Sequence, residues 1–270
     1  MRTTFILPVT VLAVVSQADA AMTAIYKTND ASGSATQWTV YSAGANSAAY
    51  NTMQNIGGSN ESISPSIANA RYTYVFGDFT QSQTTQGYVY KTLYNGSGRI
   101  SQIVRYEANA ADPLENLRTN TGGTTFNLTG FGSTAGWDRE DDFFHDGTSF
   151  YRNRTVSGGS NGVTRYSSFS DFLADTNGTT FNYGVTYGYN DRFFAFEGKF
   201  YRTNTGGPGG SVSGLAVYNS FSDLVNRNVA QTISAGVNWA ATDMFIAVPA
   251  PGALALLGVA GVVGTRRARR

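Results

Sequence analysis

DRFFAFEGKFYRTNTGGPGGSVSGLAVYNSFSDLV, residues 191–225, decides the fold once it is set beside DDFFHDGTSFYRNRTVSGGSNGVTRYSSFSDFL, residues 141–173. Both stretches run through an aromatic strand, an acidic-Gly turn and a strand ending in Phe-Tyr-Arg. A Gly/Ser/Asn loop and a strand with a central Tyr follow, and each copy then reaches Ser-Phe-Ser-Asp. Self-similarity at this period is the mark of a repeat architecture. The Phe-Tyr-Arg element recurs as Ile25-Tyr26-Lys27, Val89-Tyr90-Lys91, Phe150-Tyr151-Arg152 and Phe200-Tyr201-Arg202. A second Tyr follows 15 to 17 residues after each, at Tyr41, Tyr106, Tyr166 and Tyr218.

Aromatic or apolar strands precede these pairs at Tyr72–Phe76, Phe143–His145 and Phe193–Phe196. A further such strand, Asp243–Val248, has nothing after it, and the first Tyr-Lys strand has nothing before it. The two incomplete pieces complement one another. The expectation is all-β, a four-bladed β-propeller closed by pairing of N- and C-terminal strands. Strands near 231–238 and 243–248 should meet strands near 23–28 and 37–42, since closure leaves only short, protected edges. The other units are set at 56–117, 118–175 and 176–229. A β-sandwich or jelly roll suits the composition too, but does not predict complementary half-units at the two ends.

Turn chemistry agrees. Asp146-Gly147 and Glu197-Gly198 suit tight hairpins. Asn95-Gly96, Asn161-Gly162 and Gly206–Gly210 read as loops into the next strand. Asp112-Pro113-Leu114, Asp171-Phe172-Leu173 and Asp223-Leu224-Val225 read as short helical turns capped by Asp.

The 270 residues include 31 Gly, no Cys and one His. Between Ala21 and Val248 there are 14 Lys/Arg against 17 Asp/Glu, a net charge of −3. A near-neutral body without a basic run argues against nucleic-acid binding, which needs clustered phosphate-neutralising charge.

The two ends read differently. Residues 1–20 carry a basic Arg2, an apolar stretch from Phe5 to Val15, and Ala18-Asp19-Ala20. That is the layout of a secretory signal peptide cleaved between Ala20 and Ala21. Domain limits follow as 1–20 for the signal, 21–248 for the propeller and 249–270 for a terminal segment. The terminal segment holds Pro249-Ala250-Pro251, an apolar run from Gly252 to Gly264, then Arg266, Arg267, Arg269 and Arg270. As a helix the run reaches ~20 Å against a ~30 Å hydrocarbon core, with the Arg cluster placed to stop transfer.

This ending resembles the PEP-CTERM sorting signal, with Ala250 where that family carries Glu. The resemblance covers about 23 residues. It implies processing near Pro249–Pro251 by an exosortase, a membrane-embedded enzyme of bacteria that secrete exopolysaccharide. A plain C-terminal membrane anchor is the alternative, and terminal signal and anchor helices are expected on either reading.

Candidate sites are few. Asp138, Glu140 and Asp142, beside Asp141 and Asp146, form the densest acidic patch, and clustered carboxylates can hold Ca²⁺. The bland alternative is a solvated loop. His145 lies inside the patch without a nucleophile motif, and neither G-x-S-x-G nor H-E-x-x-H is present. The recurring Lys27, Lys91, Arg152 and Arg202 form a pseudo-fourfold set, read as an anion- or polysaccharide-contacting ring or as salt bridges to Asp112, Asp171 and Asp223. The salt-bridge reading is favoured. Function is therefore expected to be a structural or binding role outside the cell; the alternative is an extracellular polysaccharide-acting hydrolase or lyase.

Overall fold

The computed structural model describes residues 22–31, 34–42, 59–68, 73–78, 87–95, 98–108, 114–129, 137–139, 141–156, 159–188, 191–196, 198–205, 212–239 and 243–249. The signal segment with its cleavage point, and residues 250–270, lie outside the described residues.

Four small antiparallel sheets are arranged as a four-bladed propeller. One sheet runs β4 (Val75–Asp78), β5 (Tyr88–Tyr94), β6 (Arg99–Glu107) and β7 (Thr124–Asn127), with the short β8 (Trp137–Asp138) also paired to β6. The next runs β9 (Asp142–His145), β10 (Phe150–Val156), β11 (Gly159–Tyr166) and β12 (Thr179–Tyr187). The third runs β13 (Phe193–Phe196), β14 (Lys199–Thr205), β15 (Val212–Tyr218) and β16 (Gln231–Trp239). The fourth joins the chain ends: β17 (Phe245–Pro249) pairs β1 (Met22–Ala31), followed by β2 (Ser34–Ser42) and β3 (Ser59–Ala68). The innermost strands touch in a ring, β4 to β9, β9 to β13, β13 to β17 and β17 to β4.

The repeat alignment read from the sequence becomes ladder register. Ile25 faces Tyr41, Val89 faces Tyr106, Phe150 faces Tyr166 and Phe200 faces Tyr218. The closing blade differs from expectation in one respect. The strand at 231–239 pairs with β15 of the preceding sheet, Leu215 opposite Ile233, and β3 fills the outer place of the closing sheet. Closure is thus one C-terminal strand on three N-terminal ones. The cause is the short helical connection, which turns the chain back antiparallel onto the strand it has just left. Each outer strand therefore belongs to the unit before it, and the expected unit boundaries move accordingly.

Those connections are α1 (Glu115–Thr119), α2 (Phe169–Ala174) and α3 (Phe221–Asn226). The caps of α2 and α3 are serines, not the aspartates expected. Ser168 and Ser220 hydroxyls accept from the Asp171 and Asp223 N–H at 3.1 Å and donate back to those carboxylates at 2.6 and 2.7 Å. Such a reciprocal box satisfies an otherwise orphaned donor and stabilises by about 1 kcal/mol. Asn161-Gly162 proves to lie within β11, at an irregularity in its pairing with β12, rather than in a loop. A Cβ on Gly162 would sit 2.8 Å from the Phe181 carbonyl, and one on Gly214 2.5 Å from the Ile233 carbonyl. Bare backbone is required at both positions because the outer strand approaches so closely.

Aromatic stacking holds blade to blade. Phe76 stacks on Phe143 at 6.1 Å, Phe144 on Phe193 at 6.2 Å and Phe194 on Phe245 at 5.8 Å. The fourth junction has the aliphatic residues Ile246 and Val75 at the same positions, both buried. Within blades, Phe76, Phe144 and Phe194 stack on Tyr90, Tyr151 and Tyr201 at 5.0, 4.6 and 4.7 Å. Offset rings gain beyond their buried area, on the order of 0.5–1.5 kcal/mol per pair.

A hidden threonine repeats as well. The N–H groups of Met244, Tyr74 and Arg192, next to the innermost strands, donate to Thr28, Thr92 and Thr203 hydroxyls at 2.8, 2.8 and 2.7 Å. The Thr N–H groups return bonds to the Met244, Tyr74 and Arg192 carbonyls at 3.0, 2.9 and 2.9 Å. In the remaining blade Asn153 holds this place, receiving the Tyr183 hydroxyl on its Oδ1.

Candidate functional site

Function in a ring of blades is sought first at the axis, where side chains from all four converge. At the amino ends of the innermost strands, one position is filled by Asp141, Asp191, Asp243 and, in the blade containing β4, Thr73. The registers Phe143–Arg152, Phe193–Arg202, Phe245–Lys27 and Val75–Lys91 place a cation beside each. Lys27 Nζ lies 2.8 Å from Asp243, and Arg202 Nη1 2.5 Å from Asp191. Arg152 meets Asp175 at 3.2 Å and Asp141 at 3.8 Å. Lys91, facing Thr73 rather than Asp, donates to Asn120 Oδ1 at 3.2 Å.

Three cations of the pseudo-fourfold set, Lys27, Arg152 and Arg202, are therefore paired with carboxylates, but not with the acids expected. Asp171 and Asp223 serve helix caps, and Asp112 lies outside the described residues. Asp141, Asp191 and Asp243 instead stand two residues ahead of Phe143, Phe193 and Phe245, beside Arg152, Arg202 and Lys27, and Arg152 lies nearer still to Asp175. The aligned Asp141, Asp191 and Asp243 were a legible signal for this.

Just inside that ring sits a second tier. Asp142 is buried and its carboxyl is pushed up to about 7, by burial first, although the Arg192 charge and the Phe193 N–H at 2.7 Å draw it down. Arg192 reaches across the axis to the opposite blade, its guanidinium 5.0 Å from the Tyr74 ring. Its Nε and Nη1 are buried with no hydrogen-bond partner among the described residues.

At the other end of the axis lies a shallow depression lined mainly by phenylalanines, including Phe76, Phe144, Phe194 and Phe245, together with His145. Its empty space, open solvent included, is about 250 Å³. Beside it Asp78 Oδ1 approaches His145 Nδ1 at 3.2 Å. That nitrogen already accepts the Gly147 N–H at 2.9 Å, and burial lowers the imidazole to about 4. The ring is therefore neutral near neutral pH, and the contact is no ion pair. The one lone pair of that nitrogen being taken, Asp78 Oδ1 is buried without a hydrogen-bond partner among the described residues. Burial, with the nearby Asp146 charge, raises the Asp78 carboxyl to about 6. Asp146 is held ionised by the Tyr151 hydroxyl, Thr148 N–H and hydroxyl, and Ser149 N–H, so it is a turn-locking carboxylate.

Two opposite pH responses follow. Compared with a His145→Gln variant, the protein loses stability as pH falls from about 6.5 to about 4, because the unfolded imidazole takes up a proton that the buried one refuses. Compared with Asp78→Asn, it loses stability as pH rises from 3.8 towards about 6, because the unfolded carboxyl has already ionised while the folded one resists. Each slope approaches about 1.4 kcal/mol per pH unit. Denaturant midpoints measured across this range check both signs, and parallel profiles for wild type and variants would contradict them.

Of the acidic patch, Asp138 makes a half-exposed pair with Arg99 at 3.4 Å, Asp142 is in the buried tier, and Glu140 lies outside the described residues. Among the described residues no group of three His, Asp or Glu side chains is placed to hold a metal ion. Among them, too, no helix is long and apolar enough to cross a membrane. Pro249 ends β17, an innermost strand, as Asp78 ends β4 and His145 ends β9. Scans against protein-family models and against curated proteins match none to this chain.

Proposed function

We propose that the chain is an exported protein of the cell surface or extracellular matrix, sorted through its PEP-CTERM-like C-terminus, with a structural or binding role and no catalytic one. The observation that carries the non-catalytic part is the state of the axis. Asp141, Asp191 and Asp243 at its amino end face cations of their own blades, and the opposite mouth is lined mainly by phenylalanines. Hydrolysis of a glycan by the common route needs two carboxyl groups flanking the bond. The signal-peptide pattern at 1–20, Pro249-Ala250-Pro251 and the Arg266–Arg270 tail support export and sorting. An exosortase-type enzyme, the membrane and exopolysaccharide are the partners on this reading; nucleic acid is not. Bound Ca²⁺ at the Asp138–Asp142 stretch is a proposal that thermal melts with calcium and with chelator would decide.

The test is the mass of the mature chain made with and without an exosortase. The expected product begins at Ala21 and ends within 249–251 only when that enzyme is present; identical C-termini in both hosts would sink the sorting reading. A second reading, a polysaccharide hydrolase or lyase, is favoured by Asp78, whose raised pKa suits a general acid beside a depression. Turnover of a glycan that disappears in Asp78→Asn would establish it in place of the first.

A further inference from the structure

The Phe of each Ser-Phe-Ser-Asp motif has a role that neither the axis nor the helix cap uses. Phe169, first residue of α2, packs back against the previous blade, edge-on to Phe126 of β7 at 5.1 Å and 86°. Phe221, first residue of α3, repeats this against Phe181 of β12 at 5.0 Å and 85°. Over each pair lies one arginine from the adjoining strand. The Arg105 guanidinium is 4.9 Å from Phe126, 5.6 Å from Phe169 and 4.5 Å from Tyr88. Arg165 is 5.3 Å from Phe181 and 5.6 Å from Phe221. The two arginines are equivalent, each facing the tyrosine of the neighbouring strand, Tyr90 and Tyr151. Val40 and Val217 hold this place in the other two blades, opposite Tyr26 and Tyr201.

These two guanidinium groups differ from the three carboxylate-paired cations at the axis. Arg152, Arg202 and Lys27 are buried and paired with carboxylates. Arg165 is exposed and Arg105 half-exposed, and among the described residues neither has a carboxylate or hydrogen-bond partner for its side chain. Packing of the guanidinium carbon over two or three rings restrains the fork without using its N–H groups. A planar fork so held is pre-organised for a carboxylate, which it takes in two parallel hydrogen bonds. The half-buried Phe rings beside it offer an apolar platform suited to the C–H face of a pyranose. Carboxylate and apolar ring face in one residue describe a uronic acid.

We propose that the Arg105 and Arg165 clefts are two equivalent subsites for the uronate residues of an acidic polysaccharide. The proposal rests on the extracellular binding role inferred above and gives that role a ligand class. Because the clefts sit in successive blade junctions, one polysaccharide chain can engage both, and the second contact becomes intramolecular.

The full-length chain, kept in a mild non-ionic detergent, is tested against immobilised polygalacturonate, with dextran as the neutral polysaccharide. Wild type should bind polygalacturonate and not dextran, more weakly as salt rises. Arg165→Gln and Arg105→Gln should each lower the affinity about tenfold, and the double variant by clearly more than either, which is the signature of two linked contacts. Arg165→Lys keeps the charge but loses the fork and should fall near Arg165→Gln. Arg165 is exposed, so its variants keep the wild-type melting temperature and test the idea even if Arg105→Gln unfolds the protein. Undiminished binding by both Arg165 variants would overturn the proposal while leaving a glycan-binding role standing. Equal binding of dextran and polygalacturonate would overturn the uronate assignment, and binding of neither would overturn the proposal outright, with the C-terminal mass test still judging export by itself.

Discussion

A chain ended before Asp243 shows no cooperative unfolding transition. The missing strand is innermost, so its loss opens the ring rather than trimming an edge. Met244, Phe245, Ile246 and Val248 are each less than 5% exposed. At about 1.5–3 kcal/mol per fully buried apolar side chain, their loss removes roughly 6–12 kcal/mol, comparable to the whole stability of a domain, about 5–15 kcal/mol. Further costs fall on what remains. Lys27 keeps its buried ammonium without Asp243, and Thr28 loses both bonds to Met244. Near-ultraviolet circular dichroism during a urea titration checks this. A truncated chain with a sharp, wild-type-like transition would mean that β17 is not part of the closing sheet.

Asp191→Ala is the single substitution with the largest expected effect, about 3–5 kcal/mol of lost stability. Its side chain and that of Arg202 are 2% and 9% exposed, and their atoms are 2.5 Å apart. Removing one partner strands a charge that water cannot reach, and that penalty outweighs the net worth of the pair. Replacing both, as Asp191→Leu with Arg202→Met, should recover most of the loss because no ion is then buried. Asp138→Ala is the control: its pair with Arg99 is close to half exposed, so under about 1 kcal/mol is expected. Denaturant midpoints of the four proteins decide it, and equal losses at Asp191 and Asp138 would show that burial does not govern these pairs.

The repeat and its closure were legible because strand register follows from residues at nearly constant offsets, as Ile25 opposite Tyr41 and Phe200 opposite Tyr218 show. The innermost strand at the C-terminus was equally plain, since only one apolar segment lacked a follower. Which sheet the strand at 231–239 joins was not, because pattern along the chain says nothing of whether a six-residue helix returns the chain or sends it onward. Asp171 was misread for a related reason. An acid three residues after a Ser is a helix N-terminus signal, and that local duty removes it from competition for Arg152. The packing of Arg105 and Arg165 over phenylalanine pairs needed the fold itself, because each takes one Phe from its own blade and one from the next. His145 shows the limit of residue type as a guide: burial, absent from the sequence, sets its charge.

The most direct test of ring closure uses the absence of native cysteines. Ala24 faces Ser42 on one side and Val248 on the other. Chains carrying Ala24→Cys with Val248→Cys, or Ala24→Cys with Ser42→Cys, are treated while folded with a short bis-maleimide, digested and read by mass spectrometry. The ring predicts cross-linked peptides from both, joining β1 to β17 in the first case. Cross-linking of positions 24 and 42 without any between 24 and 248 would contradict it.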